Sequence, residues 1–197
     1  MDFNQPPFSP IEPAKKWFDE AELLVPTENP LAMTLSTSLQ DGSVSSRIVL
    51  MKSFSRDGAI FFTNYEGDKA KEIEINNSVS LLFHWDELLR QIRIKGIATK
   101  VASEISDKYF ATRSRLSQIG AWASKQSKTI QTRSELINRV EELQKEWDGK
   151  EIQRPPFWGG YCVSIHTIEF WQDGDGRLHD RIRYTFDSDW SFERLQP

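Results

Sequence analysis

The sequence contains little of what extracellular, zinc-binding or membrane proteins usually carry. Its 197 residues include one cysteine, Cys162, so no internal disulfide can form and a reducing cytosol is the expected compartment. The three histidines lie far apart, and no Cys/His spacing resembles a zinc site, so no metal is expected. No apolar run approaches transmembrane length, and the first residues lack the basic and apolar regions of a signal peptide. A redox role would therefore need an organic cofactor.

The chain also lacks an excess of basic residues. It has 25 basic and 29 acidic residues, a net charge of −4, which argues against a general nucleic-acid binder. Aromatic residues make up 12% of the chain, with seven Trp and twelve Phe, so a packed fold is expected. This length suits one domain over residues 1–197, with a proline-rich start, 1–12, that is expected to be flexible.

Alternating and β-branched segments predict a series of strands, with Asp-Gly turn signals at 41–42 and 57–58. The predicted strands are 33–38, 47–54, 59–63, 79–85, 91–101, 161–172, 181–186 and 191–195. Helical spacing of apolar residues predicts helices over 13–24, 69–75, 103–115 and 132–147. Sequential strands favour an antiparallel sheet that closes on itself, because closure removes exposed edges. The predicted fold class is α+β, a β-barrel with peripheral helices.

The segment Arg-Leu-His-Asp-Arg, 177–181, is the most informative stretch. In an extended strand Arg177, His179 and Arg181 project to one side. Two guanidinium groups around an imidazole, with Trp171 shortly upstream, suit a flat anionic aromatic ligand, because guanidinium pairs with phosphate and stacks on rings. Taken alone, such a run is more often a solvated charged edge strand, and the other segments of the chain reverse that balance.

Two further segments offer anion-binding groups. Arg47 and Lys52 bracket an apolar strand centre, on opposite faces if alternation is strict, and also fit two snorkelling cations. Thr63 and Lys69 flank the start of a predicted helix, whose N-terminus is a ready phosphate site. Asp68 at that point is predicted to cap the helix.

A predicted strand and a predicted helix carry the remaining candidate ligand-binding side chains. Gln91 lies on the polar face of an alternating strand, and its amide can donate and accept at the edge of a heterocycle. In the predicted helix that begins at residue 103, Tyr109, Arg113 and Ser117 are spaced by four, so the three share one face. Phenol, guanidinium and hydroxyl together are good phosphate ligands.

Taken in order, these segments resemble the pyridoxamine 5′-phosphate oxidase family over residues 31–197. Each motif is weak by itself, but their joint order is specific. The motifs are Arg-Ile-Val-Leu-Met-Lys (47–52), Phe-Thr-Asn-Tyr (62–65), Arg-Gln-Ile-Arg (90–93), Tyr109-Phe110 with Arg113, Ser-Gln-Ile-Gly-Ala-Trp-Ala-Ser-Lys-Gln-Ser (117–127), Phe-Trp-Gly-Gly-Tyr (157–161), Ile-Glu-Phe-Trp-Gln (168–172), Arg-Leu-His-Asp-Arg (177–181) and Arg194-Leu195.

The resemblance implies an antiparallel, Greek-key-like FMN-binding split β-barrel that forms a homodimer. FMN would lie in clefts between the subunits, and region 150–197 would serve dimerisation and substrate binding. Positions that match FMN contacts are Arg47, Ile48, Val49, Leu50, Met51, Lys52, Phe62, Thr63, Lys69, Gln91, Gln126, Ser127, Trp171 and Arg181. Positions that match contacts to the phosphorylated B6 vitamer are Lys52, Tyr109, Arg113, Ser117, Arg177 and His179, the last two being the implied catalytic pair.

The activity that the resemblance implies is oxidation of pyridoxamine or pyridoxine 5′-phosphate by O2 to pyridoxal 5′-phosphate, in vitamin B6 biosynthesis and salvage. Hydrogen peroxide is the co-product, and the amine also releases ammonia. The flavin carries the redox chemistry, while the protein binds and orients. The implied protein is cytoplasmic and has no nucleic-acid or membrane partner.

This sequence departs from the family pattern at three places. Phe62 stands where a Tyr is usual, and Gly67-Asp68-Lys69 replaces the common Ser-Arg-Lys. An anion thus replaces a cation near the expected FMN phosphate, and weaker FMN binding is predicted. Residues 1–12 contain no Lys, Arg or Tyr, whereas characterised members often carry a basic, Tyr-containing arm over the substrate.

Two other functions stay open at this point. One is a related FMN oxidase of a dihydrophenazine-type substrate in secondary metabolism, which the missing arm favours. The other is a non-catalytic flavin or pyridoxal-phosphate carrier, which needs only the binding residues.

Overall fold

The computed structural model describes all residues, 1–197. Its helices are α1 (Ile11–Leu24), α2 (Asp68–Ile75), α3 (Ser103–Thr112), α4 (Arg115–Ala123) and α5 (Arg133–Glu146). Its strands are β1 (Ala32–Ser38), β2 (Val44–Ser55), β3 (Gly58–Asn64), β4 (Ser78–Trp85), β5 (Arg90–Lys100), β6 (Trp158–Gln172), β7 (Asp180–Phe186) and β8 (Trp190–Arg194). All eight predicted strands occur, with shifted ends, whereas the single helix predicted over 103–115 is wrong because the chain breaks between α3 and α4.

The strands form one antiparallel sheet in the order β3-β2-β1-β4-β5-β6-β7-β8, and a further pairing of β3 with β6 closes it into a six-stranded barrel. The neighbouring order β4-β1-β2-β3 is a Greek key. Strands β7 and β8 extend the sheet beyond the closed ring. The predicted fold class, an α+β antiparallel barrel with peripheral helices, is confirmed.

Alternating residues of the barrel strands fill the main core. Leu35, Phe83 and Ile94 are fully buried, while their strand neighbours face outward. Helix α1 covers one end of this core with its apolar face, where Trp17 meets Phe170 edge-on with ring centroids 5.1 Å apart. None of the five helices combines the length and apolarity needed to cross a bilayer.

A second, smaller core joins α3, α4 and α5 to the start of β6. Phe110, Ile119, Leu143, Ile152 and Trp158 are its buried members. The hydroxyl of Thr132 accepts a hydrogen bond from the backbone N–H of Glu135 and caps α5. This packing holds the C-terminal end of α3 against the barrel, where the candidate site lies.

The segment before α1 contains no helix or strand but lies against the protein. The ring of Phe3 packs on Trp17, and the hydroxyl of Tyr184 donates to the carbonyl of Pro7 at 2.8 Å. Because α1 begins at Ile11, the irregular segment ends at Pro10. The predicted flexibility of residues 1–12 stays a prediction.

Gly96 marks a β-bulge between β5 and β6 where the two backbones approach closely. The register shifts between Lys95 and Gly96, and a Cβ on Gly96 would lie 1.9 Å from the carbonyl oxygen of Ser164. No flexible side chain can relieve that contact, because the obstructing atom belongs to the backbone. The barrel therefore needs glycine here.

We expect Gly96→Ala to destabilise the protein by about 3 kcal/mol, lowering Tm by roughly 6–12 °C. The matched control is Gly120→Ala in α4, where an added Cβ meets nothing within 4 Å. That change should raise stability by about 0.5–1 kcal/mol through helix propensity. Thermal unfolding at equal protein concentration measures both variants, and an unchanged Tm for Gly96→Ala would contradict the bulge argument.

Candidate active site

A cavity of about 320 Å³ opens between β2, β3, α2, the α3–α4 junction and the loop after α4. Ten of its lining residues were predicted from the sequence, namely Ile48, Val49, Leu50, Lys52, Phe62, Thr63, Lys69, Tyr109, Arg113 and Gln126. Its two other lining residues, Asn64 and Trp158, were not assigned a role. The wall is apolar along β2 and aromatic on the opposite side, with cations at separate places.

One cationic part of the cavity is built around Arg113. Its guanidinium carbon lies 4.7 Å from the centre of the Trp158 ring, and its Nη1 is buried without a hydrogen-bond partner. Burial lowers the pKa of Arg113, and Tyr109 partly opposes that effect. A buried cationic donor without a partner is costly unless an anion occupies the space beside it. This part of the cavity is therefore suited to an anion.

Parallel aromatic rings hold that end of the cavity in place. Phe62 stacks on Tyr109 with centroids 4.0 Å apart and planes 13° apart, and it also stacks on Trp158 at 5.5 Å. The ring of Phe62 thus orders Tyr109 without needing a hydroxyl. Lys52 lies where the β2–β3 register shifts, and such a bulge re-aims a side chain.

The predicted helix face of Tyr109, Arg113 and Ser117 is wrong. Arg113 is the C-terminal cap of α3 with an extended backbone (ψ 148°), and α4 starts anew after Ser114. The hydroxyl of Ser114 accepts from the backbone N–H of Ser117 and caps α4, and the two hydroxyls lie 2.8 Å apart. The cap interrupts the helix, and Ser117 is not among the residues that line the cavity with Arg113, so its contact to the substrate stays a prediction.

The second cationic part lies at the N-terminus of α2. The Lys69 ammonium donates to Oε1 of Gln126 at 2.6 Å, and the hydroxyl of Thr63 donates to the same oxygen at 3.3 Å. Burial lowers the pKa of Lys69, and the positive charge of Arg47 lowers it further. An ammonium held near a second cation and a helix N-terminus provides a favourable site for phosphate.

Asp68 does not cap α2, so that prediction is also wrong. Gly67 is the N-cap residue and offers no side chain, and the exposed Asp68 is the first helical residue. The hydroxyl of Ser127 instead accepts from the backbone N–H of Asp68 at 3.2 Å. Ser127 itself has φ of +67°, a strained conformation of the kind that concentrates at functional sites.

Arg47 and Met51 lie on the inner side of β2, away from the cavity lining. Met51 is buried in the main core. Arg47 donates to Glu72 of α2 at 2.7 Å, to the carbonyl of Leu35 at 3.3 Å and to the hydroxyl of Thr37. Burial alone would raise the pKa of Glu72, but hydrogen bonds from Thr37 and Arg47 outweigh it and lower that pKa. The pair secures α2, and with it Lys69, to the barrel.

Gln91, Trp171 and Arg181 form a second group. They lie in one row across β5, β6 and β7, since Gln91 pairs with Trp171 and Trp171 with Arg181. Their side chains point outward, because the next residues along the strands, Ile92 and Phe170, are buried. Arg181 donates twice to a Glu169 oxygen, at 2.8 and 2.9 Å.

The β6–β7 connection adds Arg177 and His179 to this second group. The imidazole of His179 packs on Trp171 with ring centroids 4.7 Å apart. Arg177 has φ of +66° and an exposed side chain. Neither residue lines the 320 Å³ cavity of the same protomer. One chain therefore presents most of the predicted residues as two groups on different parts of its surface.

Sequence reasoning missed two lining residues. Trp158 lies within Phe-Trp-Gly-Gly-Tyr and Asn64 within Phe-Thr-Asn-Tyr, so both belong to motifs that carry the family resemblance. Trp158 supports Arg113, and the Asn64 amide donates to the carbonyl of Ser124 at 3.4 Å, on the loop that carries Gln126. Their positions inside the motifs were the available signal.

Two family models match the chain. Residues 19–146 match the model described as pyridoxamine 5′-phosphate oxidase. Residues 158–197 match the model described as the pyridoxine 5′-phosphate oxidase C-terminal dimerisation region. Together they span both groups of candidate residues.

Curated relatives match over nearly the full length. A pyridoxine/pyridoxamine 5′-phosphate oxidase of Rubrobacter xylanophilus is 49% identical, covering 95% of this chain and 87% of that protein. One from Flavobacterium johnsoniae is 48% identical, covering 96% and 89%.

Among solved structures, PhzG of Burkholderia lata 383, in complex with tetrahydrophenazine-1-carboxylic acid, matches with a TM-score of 0.92 and 34% identity. That match covers 99% of this chain and 96% of the other. An FMN-binding protein of Nostoc punctiforme matches at TM-score 0.77 with 13% identity, which bears on the fold alone.

Proposed function

The chain belongs to the pyridoxamine 5′-phosphate oxidase family, and we propose that it oxidises pyridoxamine and pyridoxine 5′-phosphate to pyridoxal 5′-phosphate with FMN and O2. For the amine, one substrate, one O2 and one water give one pyridoxal 5′-phosphate, one ammonia and one H2O2. The observation that carries the proposal is a single cavity with cations at two places, at Arg113 and at Lys69. Two phosphorylated ring compounds, a flavin mononucleotide and a B6 vitamer, match that arrangement.

The donors at α2 fit the FMN phosphate. Lys69 supplies the charge, and the hydroxyl of Thr63 and the amide of Gln126 lie within hydrogen-bond distance of one another beside the helix N-terminus. The side chain of Asp68 is exposed, and its backbone N–H donates to the hydroxyl of Ser127 at this terminus. Bound FMN would supply the redox chemistry, with O2 as the final electron acceptor.

Arg113, Tyr109 and Lys52 bind the substrate phosphate in this proposal. The unpartnered Nη1 of Arg113 is the donor that lacks a partner until the phosphate arrives. The stacked rings of Phe62 and Trp158 orient Tyr109 and Arg113 and exclude water from one wall. Ser117, whose hydroxyl lies 2.8 Å from that of Ser114, stays a predicted member of this set.

Two copies of the chain are required to complete the site. The first group of residues lines the cavity, and the second group, which includes Trp171, Arg177 and His179, lies on an outer face of the sheet formed by the C-terminal region. We propose that the second group of one protomer faces the cavity of its partner, across the interface that region 158–197 forms. The exposed side chain of Ile48, 63% accessible, lies on the outer side of β2 and would be covered there.

A second candidate is oxidation of a reduced phenazine-type acid. The structural match to Burkholderia lata PhzG with bound tetrahydrophenazine-1-carboxylic acid favours it. A carboxylate could satisfy Arg113, but one carboxylate carries less charge than the phosphate that Lys52, Tyr109 and Arg113 together suit. The higher identity of the B6 oxidases, 49% against 34%, also favours the first proposal.

One assay separates the candidates. The purified protein is saturated with FMN, and pyridoxamine 5′-phosphate, pyridoxine 5′-phosphate or tetrahydrophenazine-1-carboxylic acid is added in air. We expect pyridoxal 5′-phosphate and H2O2 in equal amounts from the pyridoxamine substrate. Turnover of the phenazine acid alone would favour the second candidate, and bound flavin without any turnover would favour a carrier.

A further inference from the structure

We propose that Asp173 is a positioning residue for His179, holding the imidazole by Nδ1 so that Nε2 is left free to meet the substrate. Oδ1 of Asp173 lies 3.0 Å from Nδ1 of His179. The inference deepens the proposed function, because it rests on His179 facing a substrate in the dimer. It concerns an acidic residue outside the family motifs identified in the sequence.

The main chain places Asp173 at a defined position. Its backbone N–H donates to the carbonyl of Leu89 at 3.0 Å, which ties the end of β6 to the β4–β5 turn. The side chain of Gln172 reaches the same carbonyl at 3.2 Å and accepts from Arg90 at 2.8 Å. The carboxylate thus starts from an anchored backbone, even though 41% of its side chain is exposed.

The loop from 173 to 179 is folded tightly enough to bring its two ends together. A Cβ on Gly174 would lie 2.3 Å from the carbonyl oxygen of Leu178, so only glycine fits there. Gly176 and Arg177 both have positive φ, at +63° and +66°. A strained turn of this kind persists only where the surrounding structure holds it in place, and such turns cluster at ligand-binding sites.

Three groups contact the His179 ring, and two of them require different protonation states of Nδ1. Trp171 covers one side at 4.7 Å. The backbone N–H of Gly174 points at Nδ1 from 3.3 Å and needs a lone pair there, whereas the Asp173 carboxylate needs an Nδ1–H. Only the Gly174 contact has hydrogen-bond geometry as the ring stands, but the Asp173 oxygen is nearer and charged, and a charge-assisted hydrogen bond is the stronger of the two. Asp180, the acid next along the chain, is paired with Arg194 at 2.7 Å.

The consequence is a defined tautomer. With Nδ1 donating to Asp173, the neutral imidazole carries its lone pair on Nε2, which has no hydrogen-bond partner in the protein. At other functional histidines, a carboxylate that binds one ring nitrogen fixes the tautomer and the ring orientation in this way. Without the carboxylate, the Gly174 N–H would donate to the lone pair of Nδ1, and the ring proton would lie on Nε2.

The tautomer can be read directly, without turnover. Long-range ¹H–¹⁵N NMR correlations report which ring nitrogen is protonated, and the chain has only three histidines, so His179→Asn assigns the signal. At a pH where the ring is neutral, we expect the Nδ1–H form in the wild type and the Nε2–H form in Asp173→Ala. The matched control is Asp175→Ala, which removes an exposed charge from the same loop and should leave the Nδ1–H form.

Kinetics then test whether the position matters. We expect Asp173→Ala to lower kcat for pyridoxamine 5′-phosphate roughly tenfold or more, with KM and flavin content within twofold of wild type. Asp175→Ala should leave all three unchanged. An Nε2–H wild-type tautomer, or an unchanged kcat in Asp173→Ala, would overturn the positioning role. The predicted tautomers with no turnover of either B6 substrate by wild-type protein would overturn the proposed function and leave the Asp173–His179 pair standing.

Discussion

Replacing Arg113 by alanine will raise KM for pyridoxamine 5′-phosphate about 100-fold while leaving flavin content near that of the wild type. Truncating one partner of a buried charge pair removes on the order of 3 kcal/mol of binding, and 1.4 kcal/mol corresponds to a factor of ten. In the free protein Nη1 of Arg113 has no partner, so the substitution leaves no opposite charge unpaired. Loss of the stacking on Trp158 is offset by removal of a buried cation, and Tm should change little.

The matched control for this prediction is Arg139→Ala. Arg139 lies on the exposed face of α5 and pairs only with the exposed Glu142, so KM and flavin content should stay within twofold of wild type. Steady-state assays of peroxide release give KM, and absorbance of the purified proteins gives flavin content. An unchanged KM in Arg113→Ala would remove Arg113 from the substrate site, and a loss of flavin would assign it to the cofactor instead.

Replacing Lys69 by methionine, which keeps the length but removes the charge, will weaken FMN binding by roughly 30- to 100-fold. The ammonium is part of the cavity lining and donates to Gln126, and no other Lys lies on that stretch of the wall. Losing a buried charge-assisted contact to phosphate removes about 2–3 kcal/mol. Fluorescence titration of apo-protein with FMN measures the Kd.

The control is Lys71→Met, on an exposed position of the same helix, and its Kd should equal that of the wild type. A pH series adds a second check. Because burial and Arg47 lower the pKa of Lys69 from 10.5, wild-type affinity should begin to fall on the alkaline side before pH 10.5 is reached. Lys69→Met should lack that fall, since it has no charge to lose. Equal Kd values for both variants would contradict the assignment of the α2 terminus as the phosphate site.

The helix break between α3 and α4 shows why sequence spacing predicted a helix face that the structure does not have. Tyr109, Arg113 and Ser117 have the right interval for a single helix face. The Ser114 hydroxyl, however, bonds the N–H of Ser117 and starts a new helix, and this local competition is invisible to a spacing rule. Arg113, left at the end of α3, turns to Trp158 and the cavity instead.

The α2 terminus shows a different limit. The prediction that Asp68 caps the helix followed from residue preference alone. In the structure the accepting hydroxyl comes from Ser127, 59 residues further along the chain, and the loop around it is the one that carries Gln126. A cap contributed from so far away depends on how the loop packs, and no local pattern reports that.

The sequence by itself determined the antiparallel barrel, the positions of its strands and the kinds of group that its motifs carry. Alternation and turn residues are properties of short segments, and the order of the motifs follows directly from the chain, so the sequence alone shows all three. Only the tertiary structure decided which of those groups share a space: Arg113 and Lys69 with one cavity, Arg47 with Glu72, and His179 with Asp173. Those arrangements depend on close packing and on competition among hydrogen-bond partners, which are settled only when distant parts of the chain meet.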